Sequence, residues 1–404
     1  MSGLAPNAPA EVVDEKEKRL MASAPPGNAQ SFLKTLRPVI EEVVAPAAVE
    51  VDRAGAFPRA SIEALGAAGL LGLLSAPRVG GLGEGHRAAA LVIEDLAQHC
   101  ASTAMVMMMH YCATPLVEAQ GSREVRERVA TGEHLLALAL SEYGSRSQLW
   151  APVSTARTEG DGICLDASKS WVTSAGEADS YVWSSRPFSA DGLSTLWLVP
   201  ADAPGLSVGA PFDGLGLRGN SSSPMTADGV RVSADAMLGD DGGGFDLMML
   251  VVLPYFLLMN AAFSVGTMDA ATTKTAAHAV KTRLTHLDQS LADAPTVRSH
   301  IARMRVRTDM ARGLLLDALD SLEQGRPDVM LRVLEVKAGA GESATEVTDL
   351  AMRVCGGAAF RKEVGVERHF RDARAATVMA PTTDALYDFI GRITCGLPLF
   401  GQSS

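Results

Sequence analysis

The sequence predicts a multidomain α+β protein, in which an N-terminal all-α domain, a central β-barrel or β-sandwich domain and a C-terminal four-helix bundle follow one another. The chain has 404 residues, whereas a single hydrophobic core rarely serves more than about 250 to 300 residues. Helical periodicity dominates both ends of the chain, and all four tryptophans fall in a middle stretch rich in turn signals. The composition, 47% hydrophobic and 21% charged, is globular and excludes intrinsic disorder.

The first third of the chain is predicted to be a short tail followed by helices. Residues 1–28 are rich in proline, alanine, glycine and charge without periodicity, which indicates a mobile tail. Over 29–136, apolar residues such as Leu33, Leu36 and Ile40 recur at spacings of three and four, as on one face of a helix. Glycine clusters stand only at joints, as in GGLGEG at 80–85. An N-terminal α domain over 29–136 follows.

The middle and last thirds differ in periodicity. Closely spaced turn signals, EGDG at 159–162, ADG at 190–192 and PADAPG at 200–205, predict short strands and a β domain over 137–244. After residue 244 the helical period returns, with stretches at 264–280, 294–323 and 327–354 that are long enough to form a bundle. The C-terminal helical domain is therefore predicted over 245–404.

One apolar run is compatible with either a membrane-spanning helix or a helix buried in the protein core. Leu247 to Met259 contains thirteen apolar residues, whereas a bilayer-spanning helix needs about 20. We therefore expect a helix that is buried on all sides inside a large bundle, and no membrane association.

Charge and cysteine usage narrow the class of protein further. The 36 basic and 47 acidic residues give a formal net charge of −11, so nucleic acid is not an expected partner. The five cysteines are scattered without metal-ligand spacing, which argues against a disulfide framework and against a metal site. No apolar stretch follows a cationic start at the N-terminus, so we expect no signal peptide and a cytoplasmic location.

Four sequence blocks stand in an order that resembles one family. They are LALSE at 138–142, KSWVT at 169–173, GLRGNSS at 216–222, and CGGAAF at 355–360 followed by VERHFRDA at 366–373. Together with the α, β, α plan, they resemble the acyl-CoA dehydrogenase superfamily of flavoproteins. The resemblance implies FAD as the cofactor, although FMN and weakly held reduced flavin stay open. The cofactor-binding residues that it implies are Leu140, Ser141, Trp171, Thr173, Arg283, Gly356, Gly357 and Thr382.

The residue types agree with this reading. A flavin needs a flat apolar wall, hydrogen-bond donors at its polar edge and backbone that can approach a pyrophosphate. Trp171, Ser141, Thr173 and the glycines at 356–357 supply these groups. The alternative is that Trp171 is a β-core aromatic residue and that the glycines only terminate a helix.

The sequence departs from the family at the catalytic base. Most members abstract the α-proton with a glutamate in a turn after the Arg-Asp-Ala helix, and that register falls here on Ala380. The alternative site on the first helix after the β domain falls near Phe256, which is not a carboxylate either. Asp384 is the nearest carboxylate and the candidate for a displaced base, or else a helix-terminal acid that interacts with the dipole.

Three functions follow from this departure. The first is FAD-dependent oxidation or monooxygenation of an acyl thioester, with His110 and Ser141 as donors, unless His110 is a core histidine satisfied by backbone. The second is conventional acyl-CoA dehydrogenation with a relocated base such as Asp384. The third is a non-catalytic flavin-binding paralogue. The expected partners are a CoA-bound or carrier-bound acyl thioester, with O2 or an electron-transfer partner, and a second copy of the chain in a homodimer or homotetramer.

Overall fold

The computed structural model describes residues 29–145, 148–160 and 162–400. The predicted tail at 1–28 lies outside the described residues. The first described region is helical, as predicted, and a π-helical turn at Ile40–Val44 joins its first two helices. These helices are α1 (Ala29–Val39), α2 (Ala45–Ala54), α3 (Arg59–Ala67), α4 (His86–His99), α5 (Ala101–Gln120) and α6 (Arg123–Ala130).

The central region forms two four-stranded sheets, which agrees with the predicted β domain. The strands are β1 (Leu136–Ala139), β2 (Thr155–Glu159), β3 (Gly162–Val172), β4 (Ser180–Ser185), β5 (Thr195–Pro200), β6 (Leu206–Val208), β7 (Ser223–Val232) and β8 (Met237–Leu238). One sheet has the order β1-β4-β5-β8, with β1 parallel to β4, and the other is antiparallel with the order β2-β3-β7-β6. Trp183 and Trp197 pair directly across β4 and β5 and are fully buried, so they anchor the first sheet.

Long helices build the C-terminal region. They are α7 (Gly244–Leu247), α8 (Leu253–Lys281), α9 (Pro295–Glu323), α10 (Val329–Cys355), α11 (Val366–Ala373), α12 (Ala375–Val378) and α13 (Thr383–Thr394), and a small hairpin of β9 (Arg283–Leu284) and β10 (Gln289–Ser290) follows α8. Helix α8 packs on α9 and α10 and also on α4 of the N-terminal region. The segment 244–281 is long and apolar enough to cross a membrane, but 78% of its most apolar window is buried within the fold. The run at 247–259 therefore belongs to a core helix, as predicted.

A single loop of the β domain joins all three regions. The Leu217 N–H donates to Asp372 on α11 at 2.7 Å, and the Arg218 guanidinium donates to the Asp52 carbonyl on α2 at 3.0 Å. Gly216 allows this contact, because a Cβ there would lie 2.5 Å from the Arg371 carbonyl oxygen. The block at 216–222 thus fixes the β domain between the two helical regions, and it brings one wall of the cavity described below into place.

Candidate active site

A large cavity lies where the three regions meet. Its volume is about 730 Å³, enough for a planar ring system together with part of a second ligand. Apolar side chains from α5, from the start of α8 and from the loop before α13 line one side, and the β domain supplies the other. The residues that line this cavity include Met105, Met109, Leu140, Ser141, Glu142, Trp171, Thr173, Phe212, Arg218, Met248, Phe256, Met379, Ala380 and Thr382.

Trp171 faces the cavity because strand β3 is irregular at this point. The pairing of β3 with β7 shifts register between Lys169 and Val172, and Trp171 adopts a left-handed φ of 53°. Such bulges re-aim a side chain away from its place in the sheet. The indole is 63% exposed and stacks on Phe212, with ring centroids 4.0 Å apart and an interplanar angle of 29°. The alternative of a β-core aromatic residue is therefore wrong for Trp171.

The β wall fits a flavin ring. An exposed indole next to a second aromatic ring forms an apolar surface on which a planar ligand can stack. Ser141 and Thr173 line the same cavity, and the Ser170 N–H, which donates to the Ser141 carbonyl at 2.9 Å, ties the two segments together. Leu140 and Thr382 also line it, so five of the eight predicted cofactor-binding residues share one cavity.

Glu142 is the one carboxylate among the described residues that line the cavity, and it is engaged in an ion pair. Lys169 donates to one of its oxygens, while the Val153 and Ser154 N–H groups donate to the other at 2.6 and 3.0 Å. Burial alone would raise the pKa of Glu142, but the charge of Lys169 and these hydrogen bonds hold that pKa below its usual value. Burial lowers the pKa of Lys169 to about 8, against the opposing effect of Glu142. Glu142 is thus a stable anion with its oxygens occupied.

The two positions at which the family resemblance locates the base carry no carboxylate. Ala380 and Phe256 both line the cavity. Asp384 is the second residue of α13, is exposed to solvent and does not line the cavity, so its prediction as a displaced base is corrected. Thr382 is instead the residue of this turn with a local function, because its hydroxyl accepts from the Ala385 N–H at 3.4 Å and caps α13.

His110 is not available to a ligand in this structure. Its ring is fully buried, Nε2–H donates to the Leu71 carbonyl at 2.9 Å, and Nδ1 accepts from the Leu136 N–H at 3.1 Å. Burial lowers the pKa of His110 to about 4, so the neutral tautomer satisfies both contacts. The prediction of His110 as an active-site donor is therefore corrected to the alternative, a core histidine bonded to backbone.

His110 should nevertheless be visible in the pH dependence of folding. Its pKa is about 4 in the folded chain against 6.5 for the free side chain. Between these values only the unfolded chain binds the proton, so stability is full above pH 6.5 and falls as the pH falls towards 4. We expect the wild type to lose about 3 kcal/mol more over this interval than His110→Gln, which can donate and accept without titrating. Urea unfolding at several pH values measures this difference, and parallel curves for the two proteins would contradict it.

The remaining predicted residues lie away from the cavity. Arg283 pairs with Asp288 at 2.6 Å in the exposed hairpin after α8. Gly356 and Gly357 are exposed where α10 ends, and Gly356 has a φ of 55°. They line no part of this cavity within one chain. Their contact with the cofactor therefore stays a prediction.

Sequence reasoning missed a buried lysine behind the cavity. Lys337 of α10 donates to the carbonyls of Ala376, Met379 and Pro381 at 3.2, 2.9 and 2.7 Å. It fixes the loop that presents Ala380. The available signal was its place within the apolar stretch VLEVKAGAG at 333–341, where the helical period assigns it to the inner face.

The fold and the cavity agree with a three-domain flavoenzyme, because a cavity with an aromatic wall lies between a β domain and two helical domains. Family models of the acyl-CoA dehydrogenase N-terminal, middle and C-terminal domains match residues 27–132, 137–230 and 242–394. The chain therefore belongs to the acyl-CoA dehydrogenase family and is a flavin-dependent oxidoreductase, and FAD is the cofactor of this family.

Similar individual proteins support this family assignment and this fold. The short-chain specific mitochondrial acyl-CoA dehydrogenase of Homo sapiens is 30% identical over 368 residues, covering 89% of this chain and 88% of that protein. The FAD complex of PigA shares the fold with a TM-score of 0.84 and 21% identity, covering 93% of this chain and 99% of that one. The prolyl acyl carrier protein oxidase AnaB does so with a TM-score of 0.81 and 19% identity, covering 91% and 99%.

Proposed function

We propose that this enzyme oxidises an acyl thioester with FAD without a carboxylate base of its own, and that the reaction is a monooxygenation. The observation that carries the proposal is that no carboxylate among the described cavity residues is available as a base. Ala380 and Phe256 are apolar, and Glu142 is engaged in an ion pair with Lys169. The α-proton of a thioester is weakly acidic, and a positioned general base contributes about 10²- to 10⁴-fold to its removal. A cavity wall without such a base favours a reaction that does not begin with removal of the α-proton.

The described residues have distinct tasks in this proposal. Trp171 and Phe212 would hold the flavin ring, with the hydroxyls of Ser141 and Thr173 at its polar edge. Bound FAD would accept a hydride from an external electron donor and, once reduced, would react with O2, so that one oxygen atom enters the acyl group and the other leaves as water. Methionine side chains on the opposite side exclude water from the acyl group and adapt to its shape. They are Met105, Met109, Met248 and Met379.

The thioester handle and the assembly are part of the same proposal. Carrier-bound substrates are supported by the similarity to a carrier protein oxidase, and CoA-bound substrates by the similarity to an acyl-CoA dehydrogenase. We propose a homodimer or homotetramer, because Val280, Leu287 and Phe360 are apolar residues that are 65%, 54% and 84% exposed. We also propose a cytoplasmic location. Light scattering of the FAD-loaded protein measures the assembly, and a monomer would contradict it.

The deciding experiment separates oxygenation from dehydrogenation. FAD-loaded protein is mixed without oxygen with a panel of acyl-CoA thioesters while the flavin absorbance is recorded. We expect no bleaching by the thioesters. After chemical reduction and admission of ¹⁸O2, we expect the product to carry one labelled oxygen atom.

Bleaching by a thioester would instead support the second candidate, a conventional dehydrogenase with a relocated base. That candidate is favoured by the 30% identity to a mitochondrial acyl-CoA dehydrogenase. Because Asp384 does not line the cavity, Asp384→Asn should then leave the rate of flavin reduction within a few-fold of the wild type.

A further inference from the structure

Lys337 lies immediately behind the part of the cavity wall that Ala380 and Phe256 form. Its ammonium group is fully buried, and two of its three carbonyl partners, those of Met379 and Pro381, flank Ala380. On its other side, Nζ lies 5.9 Å from the centroid of the Phe256 ring. Ala380 and Phe256 both line the cavity, so the lysine lies directly behind two residues of the cavity wall.

Unlike two other cations near the cavity, Lys337 has no carboxylate partner among the described residues. Lys169 pairs with Glu142, and Arg218 pairs with Asp213 at 2.8 Å. Among the described residues, the hydrogen-bond partners of Lys337 are main-chain carbonyls alone. A buried charge without a counter-charge is costly, and burial lowers the pKa of Lys337 to about 7. In its protonated form Lys337 therefore creates a positive potential behind Ala380 that, among the described residues, only carbonyl dipoles offset.

We infer that the acyl group of the substrate carries an anionic group, a carboxylate, that lies against the wall at Ala380. This inference deepens and rests on the proposed oxidation of an acyl thioester. The small side chain of Ala380 leaves room for the carboxylate at this wall. Because all three N–H groups of Lys337 are engaged, the attraction acts through the wall as a charge interaction, which the low dielectric of the interior strengthens.

A pair of thioesters matched in length tests the inference. Butyryl-CoA and succinyl-CoA both have four-carbon acyl groups and differ in the terminal carboxylate. Dissociation constants are measured without oxygen from the shift of the flavin spectrum of the FAD-loaded protein. We expect succinyl-CoA to bind at least tenfold more tightly than butyryl-CoA. Equal binding would overturn the inference.

Two substitutions assign the preference to the charge. Lys337→Met keeps most of the side-chain volume and should reduce the preference to less than twofold. Ala380→Glu supplies the missing counter-charge from the wall and should reverse the preference, whereas Ala380→Gln, which fills the same space without a charge, should weaken the preference for succinyl-CoA without reversing it. An unchanged preference in both Lys337→Met and Ala380→Glu would overturn the inference. Should Lys337→Met fail to fold, the comparison of the two Ala380 variants decides.

The outcomes also separate this inference from the proposed function. If the loaded protein binds and oxidises thioesters but does not distinguish the matched pair, the preference for an anionic acyl group is wrong and the proposed function stands. If neither thioester binds, the inference is wrong, and the oxygenation assay with other acyl thioesters decides the proposed function.

Discussion

Ala380→Glu should increase the rate of anaerobic flavin reduction by butyryl-CoA about 10²- to 10⁴-fold, the contribution expected of a positioned general base. Ala380 lines the cavity, and Lys337 holds the carbonyls on either side of it, so a longer side chain at this position projects from a fixed loop. A carboxylate there can accept the α-proton that the wild-type wall leaves in place. Stopped-flow absorbance of the FAD-loaded variant measures the rate.

Ala380→Gln is the matched control for this gain. The amide has the size of the glutamate side chain but does not accept a proton at neutral pH, so the rate should stay at the wild-type level. A similar rise in both variants would show that size rather than basicity limits the wild type. No rise in either variant would show that α-proton removal is not the missing step.

Lys169→Met should destabilise the protein by about 3 to 5 kcal/mol, because it leaves the charge of Glu142 buried without its partner. Both side chains are completely inaccessible to solvent. The loss extends to the cofactor site, since Glu142 follows Ser141 and Lys169 precedes Trp171 by two residues. Urea unfolding of the cofactor-free protein measures the change in the free energy of unfolding.

The double variant Glu142→Gln/Lys169→Met separates charge from packing. Replacing a buried ion pair by neutral groups of similar volume is often close to neutral. We therefore expect the double variant to recover most of the stability lost by Lys169→Met. Equal instability of the single and double variants would mean that the packing of the lysine stem, and not the unpaired carboxylate, accounts for the loss.

Local periodicity was enough for the architecture. The helices predicted at 294–323 and 327–354 are found at Pro295–Glu323 and Val329–Cys355, because their apolar faces repeat with the period of a helix. Helix α8 starts earlier than the predicted 264, since the apolar run before it continues the same helix. The aromatic wall was also accessible to sequence reasoning, because the block KSWVT carries Trp171 and Thr173 together.

The side chains with candidate catalytic roles were harder to assign. His110 and Asp384 were chosen for their chemistry, yet one is bonded to backbone on both ring nitrogens and the other faces solvent. Chemistry alone does not tell which face of a helix meets a cavity when the helix is apolar all round, as α5 is. Lys337 was missed for the opposite reason, because its partners are carbonyls that no side-chain motif reveals.

The sequence by itself determined the order of the three domains and the flavoprotein family, and it predicted the loss of the usual glutamate at Ala380. These follow from the periodicity and the identity of neighbouring residues, which are local properties of the chain. Only the tertiary structure decided that Trp171 turns towards the cavity while Trp183 and Trp197 are buried. It also decided that Glu142 is paired with Lys169, whereas Lys337 is bonded to main-chain carbonyls alone among the described residues. Exposure and charge balance depend on which distant segments meet. The electrostatic character of this active site therefore arises from packing.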